Sequence, residues 1–259
     1  MLRRIASLIL MIIIFLVPAN ASAKAPVGEL ARLLTGTNPP GSTLEETALG
    51  DVTADAVRWA TGADVAIVNG GYIVANLQPG EVYEQDITSL FSKPEKLVVL
   101  TMTQSELKEC LEIGVSHIQV GPDEKIDVAE SRFDGFPQVS GVSFRYDPSA
   151  PIGKRIMDME TEETVDQLTV ACTLEMARGA FGYIPHEEWQ ETDHDLVSAV
   201  MSFFSGRTIE YPELNRSQCV GTADNSIIKQ YPALLFLLVG AGLFILYFRG
   251  FKKQKWLDF

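Results

Sequence analysis

"VNGGYIVANLQPGEV", residues 68–82, is the stretch on which the fold turns. It closes an apolar run, Ala63-Asp64-Val65-Ala66-Ile67-Val68-Asn69, with two glycines. A short apolar run bounded by turn residues reads as a strand buried on both faces. Glycine turns after such strands often hold phosphates on their backbone amides. Whether this one does is the question the neighbouring segments have to answer.

Upstream, Thr43 stands three residues before Glu46, a capping-box spacing. Ala48, Leu49, Val52, Ala56, Val57 and Ala60 then recur at helical intervals, and Gly62 supplies the stop. Gly50 inside this helix points to close packing. Downstream, Gln78-Pro79-Gly80-Glu81 is a turn, and "KLVVLTMT" (96–103) is a second strand. Thr103 and Glu106 cap a helix whose apolar face is Leu107, Cys110, Leu111 and Val115. Residues 116–135 are polar and irregular and read as a surface loop. Residues 139–149 resume a strand pattern with Val142, Phe144 and Tyr146 on one face. Residues 155–161 and 167–173 are further strands, and 195–205 is an amphipathic helix. The hairpin-like second half argues against an all-parallel sheet.

The two ends differ from this middle. Arg3 and Arg4, the apolar run Ile5–Val17 and Ala21-Ser22-Ala23 have the layout of a secretory signal peptide, with cleavage expected before Lys24. An uncleaved anchor is the alternative. Tyr231–Phe248 carries no charge, and Arg249, Lys252, Lys253 and Lys255 follow it. That pattern predicts one membrane-spanning helix with its basic tail in the cytoplasm. The expected division is signal peptide 1–23, linker 24–41, globular domain 42–210, stalk 211–230, span 231–248 and tail 249–259. The expected location is the cell membrane, single pass, with the domain outside.

Charge narrows the partners. The whole chain carries −13; without the basic signal and tail the outer region carries −18. Such a surface repels nucleic acid, so no nucleic-acid partner is expected. Three cysteines in an oxidising compartment do not make a disulfide scaffold. Cys110 and Cys172 read as core residues and Cys219 as a free thiol near the membrane.

Taken together, "EETALGDVTADAVRWATGADVAIVNGG", "LVVLTMTQSELKECLE" and "FPQVSGVSFRYDPSAPIGKRI" resemble the C-terminal domain of the 5'-nucleotidase family. The likeness runs from about Thr43 to Tyr183. It implies an α+β fold, a mixed-sheet 5'-nucleotidase C-terminal-like domain, here followed by one transmembrane helix. In the family an N-terminal metallophosphatase domain with two metal ions performs hydrolysis, and the C-terminal domain recognises the nucleotide. About twenty mature residues precede the match, too few for that catalytic domain. No catalytic residue, metal site or cofactor is therefore expected in this chain. The histidines His117, His186 and His194 form no recognisable metal pair, and "HEEWQETDHD" (186–195) reads as an acidic solvated loop.

The resemblance also says where ligand contacts would fall. The family's turn reads Asn-Gly-Gly-Gly-Ile-Arg; here it is Asn69-Gly70-Gly71-Tyr72-Ile73-Val74, with valine in place of the anion-gripping arginine. Glu45 stands where a second arginine can occur. The family stacks the base between two rings. Lys93 aligns with the first, with Phe91 nearby, and Glu175 aligns with the second. Phe181 replaces an aspartate that would meet the ribose hydroxyls. The positions to inspect are thus Asn69, Gly70, Gly71, Phe91 and Phe181, as a degenerate ligand site. The expected function is a non-catalytic binding or interaction module, with the membrane and a protein such as a separate metallophosphatase as partners. The alternative is the substrate-binding part of a nucleotide-degrading hydrolase whose catalytic domain is on another chain. Asn215-Arg216-Ser217 is an N-glycosylation sequon.

Overall fold

The computed structural model describes residues 24–122, 125–131 and 134–220. The expected signal peptide, membrane span and basic tail lie outside these residues. No helix among the described residues is long and apolar enough to cross a membrane.

The centre is a five-stranded mixed sheet in the order β5-β2-β8-β4-β9. Its strands are β2 (Val65–Asn69), β4 (Lys96–Thr103), β5 (Pro137–Ser140), β8 (Gln167–Thr173) and β9 (Gln190–Asp195). β2 runs parallel to β8, and the other neighbours are antiparallel. β2 is buried at every residue because both faces are covered. Ala66 and Val68 enter one apolar cluster while Val65 and Ile67 enter the other. On the first side lie α1 (Ala48–Thr61) and α5 (Leu196–Phe204), and on the second α3 (Gln104–Val115). Two small sheets flank this core. One is β10 (Thr208–Ile209), β1 (Gly28–Leu30) and β3 (Gly80–Val82); the other is β11 (Ser217–Cys219), β6 (Val142–Tyr146) and β7 (Ile156–Thr161). The short helices α2 (Glu84–Ser89) and α4 (Leu174–Ala177) and two 3-10 turns, Gly70–Tyr72 and Ala180–Gly182, complete the described elements.

Several expectations need correction. α1 starts four residues later than predicted. Thr47 is its cap, its Oγ1 accepting from Gly50 N at 3.1 Å. The Thr43–Glu46 spacing is not a capping box, because Glu46 Oε1 and Oε2 accept from Arg216 N and Ser217 N, both at 2.9 Å. The stop at Gly62 is as predicted, in the left-handed region at φ 66°. The strand expected over 139–149 is two strands in two sheets. The chain turns between them at Gly141, φ 79°, where a side chain would overlap Asp64 O. Residues 190–195 are an edge strand on β4, not a loop. The stretch read as a linker supplies β1 and the buried Leu30 and Leu34.

The segment read as the start of a stalk is docked. β11 pairs in parallel with β6, and Arg216 reaches under it to α1. Arg216 Nη1 and Nη2 donate to Asp55 Oδ1 and Oδ2 at 2.8 and 2.9 Å, a two-pronged pair, and Nη1 also donates to Val139 O at 2.9 Å. Ser140 Oγ adds a bond to Asp55 Oδ1 at 2.6 Å. Asp51 lies behind, fully buried, with neither carboxylate oxygen hydrogen-bonded and Arg216 Nε 3.6 Å away. Burial pushes the Asp51 carboxyl up to about 9; Arg216 pulls it down, and the Glu46 and Asp55 carboxylates push it further up.

That shift has a sign. Between the ordinary carboxylate range and about 9, folded Asp51 keeps a proton that the unfolded chain releases. Stability from this group is complete at acid pH and is lost as pH rises through that window, by up to about 1.4 kcal/mol per pH unit. Asp51→Asn, neutral and of the same shape, is expected to flatten the fall. Urea midpoints from pH 5 to 9 check it: parallel pH profiles for the two proteins would show that Asp51 is ionised in the fold.

Candidate functional site

The turn that follows β2 is built from its own backbone outward. Asn69 is fully buried, and its Oδ1 accepts from Gly71 N at 2.7 Å, capping a single 3-10 turn over Gly70–Tyr72. Gly70 N donates to Phe136 O at 2.9 Å, and Gly71 N donates also to Asp134 O at 3.0 Å. Ile73 N donates to Gly70 O at 3.1 Å and Val74 N to Leu90 O at 2.8 Å. Of the amides that could face an anion, four already have carbonyl partners, so the cradle that a phosphate needs is closed from inside.

The glycines answer to packing. A Cβ on Gly70 would overlap the Ser42 carbonyl, and one on Gly71 would sit 2.6 Å from Asp134 O. Ser42 is held there by Gln138, whose Nε2 donates to Ser42 O at 2.8 Å and Glu45 O at 2.7 Å while its Oε1 accepts from Thr47 N at 3.1 Å. Gln138 lies against Gly50, where any side chain would overlap it. The close packing expected of Gly50 is therefore against this glutamine. Sequence reading did not single out Gln138, since a polar residue in an apolar strand carries no signal until its partners are known.

Beyond the turn, side chains form a polar knot. Lys93 Nζ meets Glu175 Oε1 at 2.6 Å and Glu95 Oε1 at 2.8 Å. The buried Tyr72 donates its hydroxyl to Glu175 Oε2 at 3.1 Å and lies 3.3 Å from Thr173 Oγ1. Lys93 sits over the Tyr72 ring, 5.7 Å from its centre. The Lys93 bond holds the Glu175 carboxyl below its ordinary range, and Glu175 and Glu95 raise the Lys93 ammonium. Burial raises the Tyr72 phenol. The knot sets one ammonium against two carboxylates, with the Tyr72 hydroxyl bonded to one of them.

The two aromatic candidates part company. Phe181 packs edge-on to Tyr72, centroids 5.9 Å apart, in the left-handed region at φ 59°. A bulky residue there is strained. Beside it opens a cavity of about 520 Å³ lined also by Pro40, Thr43, Leu44, Val128, Ser131 and Asp134. Among the described residues its one charged lining group is the acid Asp134. Phe91, by contrast, is buried in the core beside α1 and α5, so its ring is no platform for a ligand. Val74 is exposed at the position discussed for an arginine. Asn69, Gly70 and Gly71 lead into Tyr72 within one turn, Phe181 packs on the Tyr72 ring, and Phe91 meets the turn through backbone, bridging Ile73 while its ring lies in the core. Among the described residues no group of three or more His, Cys, Asp or Glu could hold a metal ion.

A family model described as 5'-nucleotidase, C-terminal domain, matches residues 26–177, and the chain belongs to that family. It is 28% identical over 152 residues to the "Trifunctional nucleotide phosphoesterase protein YfkN" of Bacillus subtilis (strain 168), covering 54% of this chain and 10% of that protein. It is 25% identical over 139 residues to a "Probable 5'-nucleotidase" of Treponema pallidum (strain Nichols), covering 52% and 22%. Among solved structures, the 5'-nucleotidase precursor from Thermus thermophilus aligns with TM-score 0.66 at 21% identity over 77% of this chain and 40% of that one. A putative 5'-nucleotidase from Staphylococcus aureus aligns with TM-score 0.60 at 18% identity over 75% and 41%. The chain therefore spans only a tenth to about a fifth of the curated relatives it matches. The structural likenesses establish the fold alone.

Proposed function

We propose that this member of the 5'-nucleotidase C-terminal family is a membrane-anchored, outward-facing binding or interaction module whose nucleotide site has been given up. The observation that carries this is the Lys93–Glu175 ion pair at 2.6 Å. The two residues occupy the positions at which the family resemblance puts the rings that sandwich a base. A base needs a gap of about two aromatic stacking distances between such rings, roughly 7 Å. Here that gap is filled by an ion pair braced by Tyr72 and Glu95. The glycine turn adds to this, with four amides bonded internally and Val74 in place of a cation. The apolar run 231–248 with its basic flank supports the anchor and the outward orientation.

The second reading, a substrate-binding part of a 5'-nucleotidase-type hydrolase, has family membership and the retained Asn69 in its favour. Calorimetry separates the two. Adenosine, AMP and UDP-glucose are titrated into the full chain in detergent, with and without a divalent metal. The module reading expects no saturable heat up to millimolar ligand. Micromolar binding of any of the three would reject it in favour of the hydrolase component.

A further inference from the structure

β11 lies parallel to β6, with Ser217 opposite Phe144 and Cys219 opposite Tyr146. Val220 N then donates to Tyr146 O at 2.8 Å. The chain therefore leaves the described domain at the end of the sheet where β6 turns over into β7. From Val220, ten residues lead to Tyr231, where the apolar run begins. Fully extended they reach no more than about 35 Å. Whatever stands at this end of the sheet stands near the bilayer, if the run 231–248 spans it.

What stands there is the turn joining β6 to β7. Its base is fixed: Asp147 N donates to Arg155 O at 2.9 Å, Lys154 N to Pro151 O at 2.9 Å, and Ala150 N to Asp147 O at 3.1 Å. Arg155 is buried, and its Nη1 donates to Val115 O and Ile118 O at 2.7 and 2.8 Å, tying the turn to the end of α3. The tip, Pro151-Ile152-Gly153-Lys154, is exposed at all four residues. Ile152 is 71% exposed, the most of any large hydrophobic side chain described, and Met157 just inside β7 is 51% exposed. A lone exposed isoleucine needs no explanation in general. This one crowns a stiff turn, is followed by a lysine two residues on, and shares its end of the sheet with the chain's exit.

We infer that the 151–154 tip, led by Ile152, rests in the headgroup layer of the membrane and so fixes which end of the domain faces the bilayer. Ile152 finds an apolar boundary there, and Lys154 can lay its stem along it with the ammonium among the headgroups. With −18 on the outer region the domain has no general attraction to an anionic surface, so the tether brings the tip to the bilayer and Ile152 holds it there. This inference rests on the membrane-anchor reading above.

The test uses the full chain in phosphatidylcholine vesicles, with Cys219→Ser to remove the exposed thiol; Cys110 and Cys172 are buried. One protein carries a fluorophore on Pro151→Cys. The other carries it on Glu163→Cys, beyond Thr161 at the opposite end of β7. Lipids with a nitroxide near the headgroup are the quencher. The expected result is quenching several-fold stronger at 151 than at 163, reduced to the level of 163 by Ile152→Glu with flotation on the vesicles unchanged. Equal quenching at the two positions in chains that float overturns the tip contact and leaves the anchor standing. Chains that do not float with the vesicles overturn the anchor reading, and this inference with it.

Discussion

Gly70→Ala is expected to destabilise the domain by more than about 3 kcal/mol, at or beyond the upper end of overpacking costs. The added methyl would overlap the carbonyl of Ser42. The obstacle is backbone, not the tip of a flexible chain. Ser42 N donates to Gly36 O at 2.8 Å, its Oγ donates to Gly70 O at 3.0 Å, and its carbonyl accepts from Gln138. To make room, the turn must leave β2 or the 36–45 segment must leave α1. Either move strands buried polar groups. Chemical denaturation of the variant checks this, with Gly153→Ala as a comparison: Gly153 has open space around it, and its only penalty is φ 81°. A Gly70→Ala protein within about 1 kcal/mol of the parent would mean that the turn is looser than its packing implies.

Arg216→Met ranks next. Removing one member of a buried pair costs roughly 3–5 kcal/mol because the partner charge stays behind. Arg216 is 20% exposed on its side chain, which puts the expected loss nearer about 3 kcal/mol. Asp55 would lose both guanidinium bonds, and Asp51 its nearest cation. Methionine keeps the length and apolar stem, so the loss reports the charge and its hydrogen bonds. Arg216→Lys should recover less than half of it, since an ammonium cannot span both oxygens of Asp55 and still reach Val139 O. Urea midpoints of the three proteins are the measurement. Coincident curves for parent and Arg216→Met would show that the β11 pairing alone holds this segment.

The parts of the fold that were legible in sequence are those whose cause is local. β4 and β8 were read to the residue because long apolar runs bounded by polar turns are self-contained signals. α3 was read from its capping box, and Glu106 does return to Thr103 N at 2.7 Å. The same spacing misled at Thr43, where Glu46 serves the chain 170 residues later. β1 escaped notice because three residues carry no period. β9 escaped because an edge strand with one open side can be polar throughout, and "QETDHD" reads as solvated. The site was legible as a set of substitutions and not as an arrangement. Lys93 and Glu175 each looked like a lost ring; that one answers the other, 82 positions away, is a fact of the third dimension. Tyr72, which braces them, stands where the family's turn has its third glycine.

The parallel setting of β11 on β6 has a mechanical consequence. Force that reaches the domain through its C-terminal side pulls β11 along its own axis. The ladder to β6 and the grip of Asp55 on Arg216 are then loaded side by side, in shear, and must yield together. An antiparallel strand in the same place would peel away one bond at a time. Pulled from its C-terminal side, the domain is expected to yield at this joint in a single step rather than to fray.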